Sequence, residues 1–157
     1  MAFLNWLEAT SYSEWILVSA VGWPLMLSIH AFGLAITVGV IFTLNMRLLG
    51  LYGTIPYASM RDLMSVAWIG ISLNVFTGLS IFIAQASTYI TSIPFIIKIT
   101  LIVLGCVTLV RTQKILKLEG MTWDASGVVS RTGQKLAIAS LLFWIVAVVT
   151  GRLIAYI

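Results

Sequence analysis

Between Trp23 and Gly50 the chain reads WPLMLSIHAFGLAITVGVIFTLNMRLLG, with no formal charge before Arg47. An apolar run of this length has one comfortable setting. A helix rising ~1.5 Å per residue needs about 20 apolar residues to cross a ~30 Å hydrocarbon core, and it pairs its own backbone groups where no water can. The stretch therefore predicts a membrane-spanning helix. Pro24 suits its first turn and would be costly further in, while Arg47 and Gly50 mark the other end. Within it lies the only histidine of the chain, His30. An ionisable side chain at membrane depth is a functional-site candidate by default.

Three more runs follow the same rule, so spans are expected at about 24–49, 63–86, 93–115 and 132–157, the third with Pro94 in its first turn. Ahead of them, residues 2–22 mix Phe3, Leu4, Trp6 and Leu7 with Asn5 and Glu8, which suits a segment lying in the headgroup region, with Ser13 available as a helix cap. Composition agrees: 61% of the 157 residues are hydrophobic and 9% charged, against about 45–50% and 25% in soluble domains. The expected fold is all-α, an integral membrane four-helix up-down-up-down bundle with a short N-terminal interfacial segment, forming one domain. The net charge of +4 comes without a basic patch large enough for nucleic acid. Cys106, a single cysteine, excludes an internal disulfide. The N-terminus lacks the basic region of a cleavable signal, so the first segment is expected to be retained.

Lysine and arginine set the expected orientation. Arg47 and Arg61 flank the first joint, and Arg111, Lys114, Lys117, Arg131 and Lys135 flank the third, whereas QASTYITS in the second has no charge. The positive-inside rule places the first and third joints in the cytoplasm and both termini outside, on the periplasmic side of a bacterial inner membrane.

Depth then groups three basic residues. His30, Lys98 and Arg152 belong to three different spans, yet all fall within about two turns of the outer ends, and no carboxylate shares their level. Haem b supplies what is missing: its iron takes a neutral imidazole, and its propionates are two carboxylates on one edge. The expected roles are His30 as metal ligand, Lys98 and Arg152 beside the propionates, and Asn74 orienting the imidazole. Gly33 and Gly78 would leave room for a flat ring. Plainer roles fit the same residues. The histidine can hydrogen-bond a neighbouring helix, the long cations can snorkel to the interface, and the glycines can serve helix packing. Met26 shares the His30 face and reads as packing. With no second histidine, the iron would be five-coordinate, or carry Lys, Met or water as its sixth ligand, or be shared by two copies. Scattered methionines make a poor copper site.

The segments IHAFGLAITVGVIFTLNMRLLGL, IPFIIKITLIVLG and SLLFWIVAVVTGRLIAYI resemble a family of uncharacterised four-helix bacterial membrane proteins over nearly the whole chain. That family is distantly similar to the copper-resistance D family and to the membrane protoporphyrinogen IX oxidases. In the latter a first-helix histidine, an arginine about 17 residues on and a third-helix lysine recur, and haem b binding is implied. Here those positions fall on His30, Arg47 and Lys98, while Asn45 stands where the family has aspartate.

Two functions are expected ahead of others. One is a haem-b-binding membrane protein serving electron transfer, as a subunit of a redox complex or a homo-oligomer. The other is a non-catalytic accessory subunit that packs against a larger complex and binds membrane lipids. A porphyrin oxidase would need a proton-accepting carboxylate in the membrane, and a copper permease would need a polar path across both leaflets. Neither is visible in the sequence.

Overall fold

A computed structural model describes residues 1–154; the final three residues of the expected fourth span lie outside the described residues. The chain folds as α1 (Ala2–Glu8), α2 (Ser11–Val18), α3 (Gly22–Leu48), α4 (Tyr57–Ala84), α5 (Ala86–Thr91), α6 (Ile93–Ser126) and α7 (Arg131–Leu153). Helices α3, α4, α6 and α7 are long and apolar enough to cross a membrane. The protein is an all-α, multi-pass four-helix bundle. Its two hairpins, α3 with α4 and α6 with α7, meet through α3 against α7 and α4 against α6.

Several boundaries differ from expectation for local reasons. The first span opens at Gly22, where the Ser19 hydroxyl accepts the Gly22 N–H at 2.7 Å. The second opens at Tyr57 rather than 63, because both oxygens of Asp124 accept the Tyr57 N–H at 3.0 and 3.1 Å and cap its helix. It closes at Ala84, and residues 86–91 form the separate short helix α5. The largest difference is α6. Expected to stop near 115, it continues to Ser126, where Gly127 takes a left-handed φ of 68° and ends it. At 34 residues it is ~51 Å long, so its last third extends beyond a ~30 Å hydrocarbon core. That extension is held by an apolar edge on an otherwise polar segment: Leu116, Gly120 and Trp123 are buried at helical spacing, and Trp123 packs edge-on against Tyr57 at 5.4 Å.

Helices α3 and α4 touch backbone to backbone. A Cβ added to Gly70 would lie 2.5 Å from the Thr37 hydroxyl and 2.9 Å from the Gly33 carbonyl, so only glycine permits this crossing. The main core fills the half of the bundle that carries the basic joints. It gathers Ile41, Leu44 and Leu48 with Met60, Met64, Leu109 and Trp144. Ile16, Met26 and Ala84 form a second cluster at the opposite end, which α2 covers. At its outer end α6 meets α4 through Phe95, stacked on Phe82 at 5.6 Å. None of its residues from Ile93 to Leu104 is buried, and burial begins at Gly105.

Candidate functional site

His30 stands about 12 Å into α3, on the face turned to α4. Its Nδ1 lies 2.8 Å from the Thr77 hydroxyl. That hydroxyl donates its one hydrogen to the Leu73 carbonyl at 2.7 Å, a common habit of threonine in apolar helices. With that hydrogen given to Leu73 the oxygen accepts from Nδ1–H and Nε2 keeps a lone pair; a hydroxyl turned to Nδ1 gives the other tautomer. Thr77 is fully buried and cannot easily turn elsewhere. The pair thus holds the ring orientation of a half-buried histidine.

Gly78 adds space. A Cβ built there meets only His30 Cε1, at 3.6 Å, so the ring passes close to the bare backbone of α4 at this point. Gly33 has a different task. It sits about one turn further in, where a Cβ would strike Asn74 Nδ2 and the Gly70 carbonyl at 3.0 Å, and it serves the helix crossing.

Asn74 does not orient the imidazole. Its Nδ2 donates to the Gly70 carbonyl at 3.1 Å within its own helix, while its buried Oδ1 has no partner among the described residues. Thr77, one turn further along α4, performs the expected task. Sequence reading passed over it because amides outrank hydroxyls as orienting groups, and because depth counted along two helices is uncertain by about one turn.

Lys98 is half-buried on α6. Its methylenes and amine lie 3.1–3.3 Å from where a Gly151 Cβ would be, so the lysine stem runs across a gap that only glycine leaves on α7. The next residue, Arg152, is exposed in the last turn of α7. Lys98 and Arg152 therefore lie at the same end of the α6–α7 hairpin, while His30 faces α4 in the other hairpin. Among the described residues no cluster of three or more His, Cys, Asp or Glu side chains converges, so any metal here has a single protein imidazole.

Arg47 does not belong to this site. Seventeen residues along the same helix place it ~25 Å from His30, at the basic end. There its Nε donates to the Ile55 carbonyl at 2.7 Å, and its guanidinium lies 4.1 Å from the centre of the Tyr57 ring. The Tyr57 hydroxyl donates to the Arg47 carbonyl at 3.3 Å. Asn45 is likewise structural, its Nδ2 donating to the Ser140 hydroxyl across the bundle at 3.0 Å.

Fold and site together define a multi-pass helical membrane protein with one histidine held by a hydrogen bond between two spans. Comparison with family models, curated proteins and solved structures finds no match to the chain.

Proposed function

We propose that the protein is a haem-b-binding subunit of a bacterial inner-membrane redox assembly, with His30 as the axial ligand. The observation that carries this reading is the Thr77 contact. An imidazole held by an Nδ1 hydrogen bond, with Nε2 free, is the form in which histidine binds iron. The surroundings fit a flat ligand. Gly78 puts no side chain beside the ring, and the outer part of α6 has no buried residue from Ile93 to Leu104, meeting α4 there through Phe95 stacked on Phe82 at 5.6 Å. Lys98 and Arg152 are the cations that would meet propionates. Bound haem b contributes a one-electron iron couple whose potential responds to the axial ligand and nearby charge. The chain's own part is to orient the imidazole, place a positive charge beside the ring edge and exclude water from one face.

Orientation belongs to the same proposal. Basic joints on the cytoplasmic side put His30 in the outer leaflet and both termini in the periplasm. Protein purified in detergent from haem-replete cells is expected to show a Soret band, and the His30→Ala variant is expected to lose it at unchanged yield. A colourless wild-type preparation would instead favour a lipid-binding accessory subunit, with His30 as an interhelical hydrogen-bonding residue.

A further inference from the structure

At the end of the bundle away from His30, a cavity of about 260 Å³ opens between the α3–α4 joint and the start of α7. Its wall includes Arg47, Gly50, Gly53, Gly127, Val129 and Gln134. At ~30 Å³ per liquid water it has room for roughly nine waters, enough for a small polar group and too little for a large apolar ligand. Arg47 is its distinctive feature. The side chain is 7% exposed, and its Nε is committed to the Ile55 carbonyl. Its two terminal NH₂ groups make no hydrogen bond and no ion pair among the described residues. These groups are open to the cavity, and a guanidinium with free terminal NH₂ groups recognises planar or tetrahedral oxyanions through paired donors.

The rest of the wall suits the same ligand. Gly50 and Gly127 take left-handed φ values of 97° and 68°, and neither these nor Gly53 has any atom within 4 Å of an added Cβ, so backbone borders the space. The first turn of α7 begins beside it, since Val129 and Gln134 flank the Ser130 cap, and the N–H groups of that turn present a partial positive charge. Arg131 and Lys135 raise the local potential further.

We infer that this cavity is a binding site for a phosphate-bearing anion, with Arg47 as its central ligand. The shared chemistry is a phosphate monoester or diester, supplied by the headgroup of an anionic lipid or by a small soluble phosphate. The Tyr57 ring and the Ile55 carbonyl preset the guanidinium, and the glycine wall admits the oxygens.

The test is thermal unfolding of the full chain in phosphatidylcholine nanodiscs. One arm adds inorganic phosphate against chloride at matched ionic strength; the other replaces phosphatidylcholine with increasing phosphatidylglycerol. Linkage predicts a rise in the midpoint of about 3–5 °C per tenfold increase of ligand above its Kd. A rise with inorganic phosphate alone assigns a soluble ligand, and one with phosphatidylglycerol alone assigns a lipid headgroup. Gly53→Leu fills the cavity at a glycine outside the left-handed region and leaves Arg47 in place, so it is expected to keep the wild-type midpoint in pure phosphatidylcholine and lose the rise. Arg47→Lys keeps a charge without the paired donors and is expected to diminish it. No rise in either arm, or a rise undiminished in both variants, overturns the assignment.

Discussion

Replacing Thr77 with valine removes one hydroxyl at nearly constant volume, so it isolates the contact on which the His30 geometry rests. Because the side chain is fully buried and the shape is kept, no cavity term enters. What is lost is the contact with Nδ1 at 2.8 Å, together with the hydroxyl's own bond to the Leu73 carbonyl at 2.7 Å. Hydrogen bonds between membrane helices are worth ~0.6 kcal/mol on average and at most ~1.7 kcal/mol, so Thr77→Val is expected to destabilise the bundle by about 1 kcal/mol or less. The effect on metal binding should be larger, because the ring then lacks a fixed rotation. Loss of such an outer hydrogen bond costs about 10–100-fold in metal affinity, or roughly 1.4–2.7 kcal/mol. The assay is titration of haem into detergent-solubilised apoprotein, read at the Soret band, with thermal unfolding alongside. Thr77→Ser restores the hydroxyl and should recover most of the affinity. The reasoning is refuted if Thr77→Val binds haem within twofold of wild type while His30→Ala does not bind it.

Other perturbations test the frame around the site. Gly70→Ala forces a methyl group against Thr37 and the Gly33 carbonyl, and should cost about 1–3 kcal/mol of thermal stability while separating α3 from α4. Gly105→Ala sets a methyl 2.8 Å from Trp144 Nε1, and its cost in the same range should show as a shift in tryptophan emission. Asp124→Ala removes the cap on α4 and should cost about 1 kcal/mol, with faster amide exchange at residues 57–60. Acid should release α1. The Ser87 hydroxyl and N–H both donate to Glu8 and hold its carboxyl below its ordinary value of 4.5. Because the folded value is the lower one, this contact contributes fully above 4.5 and is lost as pH falls through the depressed value. Protection factors at residues 2–8, taken against the intrinsic exchange rate at each pH, should therefore fall below that point and, in Glu8→Gln, be low at every pH.

The four spans were legible because hydrophobic runs of membrane length leave a chain few alternatives, and the order of the hairpins followed from short joints. The far third of α6 was not. Its charges, KLEGMTWDAS, read as a loop, although Leu116, Gly120 and Trp123 already marked one helical face. His30 and Lys98 could be placed at one level by counting residues. Counting could not show that His30 turns to Thr77, or that Lys98 lies across Gly151, since those contacts depend on helix rotation. Arg47 illustrates the converse. Linear spacing gives its distance from His30, but its pairing with Tyr57 needs a loop reversal that no periodicity encodes.

The most direct measurement of the haem assignment is chemical rescue of His30→Gly. The account predicts that wild-type protein binds haem, that the glycine variant does not, and that free imidazole restores a Soret band with the wild-type maximum. A glycine variant that binds haem as wild type does, or one whose spectrum imidazole leaves unchanged, would contradict a role for His30 as the iron ligand.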